Sequence, residues 1–212
     1  MSRVGATVAR VPIRPSTHRA AGRARRAALL DAAVEVIAED GVAGATHRAI
    51  AARAGVPLST TSYFFASIDE LVTAAMQVVA ERLITQVDGI AAELGSEPVD
   101  VEAAVDRLMD LLDGVRAVDL AAQFEVYVQC ARRSQLQPVA HHMMTSFERA
   151  AEVALRAVGV PRPAEAARAV VALIDGFQLH RLAWPRGAAD RRALDAGVRA
   201  VVRSYLIAVE RG

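Results

Sequence analysis

The sequence contains no lysine; all 25 of its basic residues are arginine. GC-rich coding accounts for that bias, so no function is read into it. Cysteine occurs once, as Cys130, which excludes an intrachain disulfide and fits a reducing compartment, expected to be the cytoplasm. No apolar run approaches the ~20 residues needed to span a bilayer. The first 26 residues hold seven Arg and no acid, but no apolar stretch follows them, so they do not read as a secretory signal. Also missing are a phosphate-cradling glycine loop, a zinc-protease spacing and any recognisable Ser-His-Asp assembly. No enzyme is expected, and no cofactor or metal.

What is present suffices for a folded chain. Of 212 residues, 53% are apolar and 23% charged, which excludes wholesale disorder. A formal net charge of +1 hides an asymmetry. Residues 1–66 hold nine Arg against four acids, whereas residues 67–212 hold sixteen Arg against twenty acids. A basic first third on an acidic body is the pattern of a protein whose one end meets a polyanion.

The periodicity is helical throughout, with no strand signal and no internal repeat. Residues 1–22 are expected to be a disordered Arg-rich arm, for which a solubilising tail is the competing reading. Leu29, Leu30, Ala33, Val34, Ile37 and Ala38 predict a helix from Arg23 that Gly41 closes. His47–Ala54 and Leu58–Phe64 predict two short helices. Ser67-Ile-Asp-Glu70 is a capping box opening a long helix to about Leu94. Further helices are expected from Pro98 to Gly114, Val118 to Arg133, Pro138 to Val158, 163–184 and 190–210. The fold class is all-α with about nine helices: a head over 23–66 and a body over 67–212.

Two short helices joined by a tight turn at Gly55 form the helix-turn-helix plan, whose second helix enters the DNA major groove. That role explains the run GVPLSTTSYFF. Ser59, Thr60 and Ser62 are short donors and acceptors suited to phosphates and base edges, Leu58 can pack on a thymine methyl, and Tyr63 can donate to a phosphate. Thr46, His47 and Arg48 stand at a helix N-terminus, where free amides attract anions. Phe64 completes the candidate DNA-binding set, and Phe65 reads as core. From spacing alone, an ordinary bundle whose hydroxyls cap or solvate remains the alternative.

Residues 25–72 resemble the DNA-binding domain of the TetR family of bacterial transcriptional regulators. The resemblance is carried by Ala33, Ile37, Gly41, Thr46, Arg48, Ile50, Ala51, Ala54-Gly55-Val56, Thr60, Tyr63, Phe65, Ser67 and Glu70-Leu71. It implies a three-helix DNA-binding head, a ligand-binding helical body and a dimer built by the last two helices. It further implies a ligand-responsive regulator of transcription: a repressor released from a pseudo-palindromic operator on double-stranded DNA by a small, largely apolar effector. The sequence departs from the family at Thr61, Ser62 and Ile68, where Leu, an aromatic and Lys are common. The arginine arm is the expected replacement for the lost phosphate contacts.

In the body, candidate pocket residues are Leu83, Met109, Leu112, Phe124, Tyr127, Met143, Phe147 and Phe177, with Gln123 and Gln178 as polar markers; residues of each kind are more often plain core than ligand site. The helix at 163–184 is apolar nearly all round, and Leu194, Val198, Val201 and Tyr205 form a stripe on the last helix. Val170, Ile174, Arg181 and Trp184 with that stripe are the expected homodimer interface, a four-helix contact about a two-fold axis. Arg181 needs an acidic partner across it, or else lies at a solvated end. His141 and His142 read as solvent-facing, and Cys130 as a small buried apolar residue. Two other functions stay open: a helical enzyme or carrier with a vestigial head, and an architectural DNA binder without ligand.

Overall fold

The computed structural model describes residues 16–94 and 99–207 of the chain. Those residues form nine α-helices and one 3-10 turn: α1 Ser16–Gly44, α2 His47–Arg53, α3 Leu58–Phe64, α4 Ile68–Leu94, α5 Val101–Gly114, α6 Ala117–Cys130, the turn Ser134–Leu136, α7 Gln137–Ala157, α8 Pro163–Ala183 and α9 Ala188–Ile207. The first helix begins at Ser16 rather than Arg23, while residues 1–15 of the expected arm lie outside the described residues. Among the described residues, no single helix is long and apolar enough to cross a membrane.

Local chemistry sets the boundaries. At Gly41 the backbone of α1 turns into the left-handed region (φ 71°) and then resumes for one turn, a conformation that costs glycine nothing. The amide of Val42, freed by that break, donates to Glu125 Oε1 of α6 at 3.0 Å. Ser67 Oγ accepts the Glu70 amide at 3.1 Å, and the Glu70 carboxylate reaches back one residue further than expected, to the Ala66 amide at 2.6 Å. α5 starts behind Asp100, whose carboxylate accepts the Ala103 amide at 2.7 Å.

Two cores result. The first joins α1, α2, α4, α6 and α7 around Leu29, Ile37, Ile50, Phe65, Leu71 and Met76. The second joins α5, α8, α9 and the end of α7 around Met109, Leu155, Ala166, Val170 and Val198. α5 is clamped onto α9 by charge. Arg199, with only 14% of its side chain exposed, lies between Glu102, Asp106 (2.6 Å) and Asp195 (2.9 Å). Its hydrogen bonds hold the Asp195 carboxyl below the usual carboxylate range. Arg191 reaches Asp110 at 3.0 Å and also pairs with Asp113. The acids recur at three and four residues along α5, so one face of that helix is an acidic stripe while the opposite face stays apolar.

A second charge cluster ties head to body. Buried Asp119 of α6 receives Arg116 at 2.6 Å and Arg82 of α4 at 3.3 Å, and Arg82 also pairs with Asp31 of α1. A buried carboxylate needs such partners. Asp119→Ala should therefore lower stability by about 2 kcal/mol, the scale of a lost hydrogen bond to a charged group, measured by urea unfolding.

Candidate functional site

The head presents α2 and α3 on one side. Thr46 caps α2, its hydroxyl accepting the Ala49 amide at 3.1 Å. Gly55, at φ 65°, makes the turn, and the Val56 amide closes back onto Ala51 O at 3.0 Å. On α3, Thr61 faces inward, fully buried, and donates to Leu58 O at 2.8 Å. That inward anchor leaves Leu58 50% exposed and Tyr63 81% exposed, with Ser59 and Ser62 also in solvent. Thr46 and Arg48 are exposed on the same pair of helices, and Thr60 and His47 are half-buried. The Nδ1 of His47 is buried and finds no hydrogen-bond partner among the described residues.

Phe64 is half-buried against the first core and meets Tyr63 edge-on, with ring centroids 5.0 Å apart. It shares that intermediate exposure with Thr60 and His47. The head is braced from behind: Arg53 of α2 reaches Glu35 at 3.2 Å and also pairs with Glu39 of α1, and Arg26 lies 5.2 Å over the Phe65 ring.

The body contains a partly open cavity of about 150 Å³ between α4, α5, α6, α7, α8 and α9. Of the expected pocket residues, Leu83, Leu112, Gln123, Phe147 and Gln178 lie in its wall. Met109 and Phe177 line a second pocket, of about 280 Å³, along with Leu112, Gln178 and Arg181. Phe124, Tyr127 and Met143 line neither. Met143 is fully buried in the first core, and Phe124 and Tyr127 stack edge-on at 5.8 Å. Helical periodicity finds the inward face but cannot tell a filled interior from an open one.

The expected dimer stripe also divides. Val170, Leu194 and Val198 are buried in the second core of their own chain, and Val170, Ile174 and Val198 line the cavity. Val201 and Tyr205 pack half-buried on that core. Trp184 is 73% exposed, beneath the Arg186 guanidinium at 5.7 Å. Arg181 forms no ion pair among the described residues. The apolar stripe of α9 is satisfied by α5 and α8, so the face left to solvent is a different one, lined by small residues. His141 and His142 are exposed, Cys130 is half-buried, and no group of three His, Cys, Asp or Glu among the described residues could hold a metal.

This architecture has counterparts. Residues 29–75 match the description "Bacterial regulatory proteins, tetR family", and residues 99–206 match "Tetracyclin repressor-like, C-terminal domain". The nicotine-responsive transcriptional repressor HdnoR of Paenarthrobacter nicotinovorans is 30% identical over 169 residues, which is 76% of this chain and 85% of that protein. The chain belongs to the TetR family of bacterial transcriptional regulators. Among solved structures, SCO7518 from Streptomyces coelicolor A3(2) is 31% identical with a TM-score of 0.61, over 84% of this chain and 98% of that one. The multidrug binding protein EbrR, complexed with proflavin, is 29% identical with a TM-score of 0.58, over 84% and 99%.

The TetR-family head makes the protein a DNA-binding transcriptional regulator, and the family and its relatives are regulators rather than enzymes. Sequence reasoning missed Asp175, which lines the cavity, and Glu125, which binds the Val42 amide at the end of α1. A carboxylate set among apolar residues of α8 was the available signal for Asp175. Nothing in the sequence brings Glu125 to Val42. Because Thr46 supplies the cap of α2, Thr46→Ala should destabilise the head by about 1 kcal/mol, read as earlier local exchange of the α2 amides by hydrogen–deuterium exchange.

Proposed function

We propose that the protein works as a homodimeric repressor in the cytoplasm, released from a pseudo-palindromic operator by a small, largely apolar effector. The observation carrying this reading is the cavity wall. Leu83, Gln86, Val87 and Ala91 of α4 line it, and α4 runs without a break to Ile68 at the edge of the head. An effector that fits one setting of α4 better than another shifts the spacing of the two heads, and it does so only through that difference in affinity. A relative described as nicotine-responsive and one complexed with proflavin support a small organic effector. The open cavity favours this reading over an architectural DNA binder with a solid body.

On the DNA, Arg48 and Tyr63 hold phosphates, while Leu58, Ser59, Thr60 and Ser62 meet base edges. Thr46 and His47 set the N-terminus of α2 against the backbone. Arg48→Ala and Tyr63→Ala should each weaken binding to every duplex, and Arg48→Ala should reduce the slope of log K against log salt by about 1. Thr60 and Leu58 substitutions should instead alter which sequences are selected from a random pool. Fluorescence anisotropy at several salt concentrations measures the first pair; an unchanged affinity and slope for both would remove DNA contact from this face.

For the dimer, the exposed small residues Ala172, Gly176 and Ala183 of α8 and Ala193, Ala196 and Ala200 of α9 offer a face on which helices can approach closely. Apart from its two chain neighbours and the backbone of its own helix, no atom of the described residues comes within 4 Å of a Cβ added to Gly176. Gly176→Arg should therefore leave the fold intact and give a monomer by analytical ultracentrifugation. A dimer that persists would place the contact elsewhere.

A further inference from the structure

Among the described residues lining the cavity, Asp175 alone carries an ionisable side chain. Its neighbours in the wall are overwhelmingly aliphatic, and no Arg, Lys or His stands among them. Gln123 Nε2 donates to Asp175 Oδ1 at 3.3 Å, a long bond, and the same amide also donates to the Tyr127 hydroxyl at 3.1 Å. Among the described residues Asp175 takes part in no ion pair. The contrast within the same chain is sharp: buried Asp119 has two arginines, and Arg199 has three acids.

Burial pushes the Asp175 carboxyl up to about 6, and with it the Tyr127 hydroxyl upward. At neutral pH Asp175 is still mostly charged. Asp175 is half-buried, and a carboxylate held among aliphatic side chains with one shared amide is only partly compensated. A positive charge arriving with a ligand would supply the rest. An anionic ligand would meet repulsion and no cation, and a neutral one would leave the carboxylate as it was. The wall also contains one aromatic side chain, Phe147, and an aromatic face attracts cations as well.

We propose that the effector is an organic monocation, a protonated or quaternary amine on a small apolar frame, and that Asp175 is the group that selects it. This rests on reading the cavity as the effector site. The volume of about 150 Å³ is of the order that admits a single benzene ring, so the frame is about one ring in size.

A matched pair of probes tests the charge alone: phenyltrimethylammonium and its neutral carbon isostere, tert-butylbenzene. Binding of each to the full chain and to Asp175→Asn is measured at pH 7.5 by ligand-observed NMR and thermal shift. Asn keeps the size of the side chain and an oxygen for the Gln123 amide, and circular dichroism checks that the variant folds. The unaltered protein should bind the cation at least about tenfold more tightly than the isostere. Asp175→Asn should bring that ratio close to one by weakening the cation only. If both probes bind but the ratio starts near one, or survives the substitution, the charge selection is overturned while the cavity stands as a ligand site. If neither probe binds, the effector-site reading falls together with it. The ratio in the unaltered protein needs no variant, so a misfolded Asn variant would not rescue the proposal from a ratio near one.

Discussion

Between Ile68 and Leu94 the backbone of α4 is one continuous helix, and two interiors share it. Its first half supplies Leu71, Val72, Ala75, Met76 and Val79 to the core that holds the head together. Its second half supplies Gln86, Val87 and Ala91 to the wall of the cavity. Leu83 belongs to both. A helix is stiff along its axis because each peptide is bonded to the next turn. The wall of the cavity and the core of the head therefore share one continuous rod.

The rod does not act alone. α6 touches the cavity through Leu120 and Gln123 and touches α1 through Glu125, which binds the Val42 amide just past the break at Gly41. Arg82 of α4 joins Asp31 of α1 to Asp119 of α6. These contacts gather α1, α4 and α6 at a single seam, with charge-assisted bonds that are short and directional. On the far side, the Arg191 and Arg199 clusters fix α5 against α9, so the cavity has one wall stitched by ion pairs and another formed by the rod. Among the described residues, the arrangement puts its polar specificity at the edges and leaves the interior apolar, apart from Asp175 and three glutamines, Gln86, Gln123 and Gln178.

Much of the head was legible because its signals are local. The capping Thr46, the turn at Gly55, the Ser67–Glu70 box and the inward Ile50 and Phe65 each depend on neighbours a few residues away, and all take the expected positions. Phe64 is half-buried, since how far an aromatic at the end of a seven-residue helix faces inward depends on what packs beneath it. The body was legible as helices but not as surfaces. Val170, Leu194 and Val198 carry the periodicity of an interface and are spent inside their own chain. Met143 and Leu83 look alike in a helical wheel, yet one is sealed in a core and the other borders a void.

The sequence by itself determined the all-α class, the order of the helices, the helix-turn-helix head and the exposed hydroxyls of Ser59 and Ser62 on α3. Hydrogen bonding within a turn and the 3.6-residue period operate over short stretches of chain, and those are written in the order of residues. Only the tertiary structure decided where an interior stays open, that a lone carboxylate from α8 borders it, and that Glu125 meets Val42 across 83 positions of sequence. Those outcomes arise from how helices distant in the chain stack on one another. Their meeting points follow from volume and charge summed over the whole molecule, which no local pattern records.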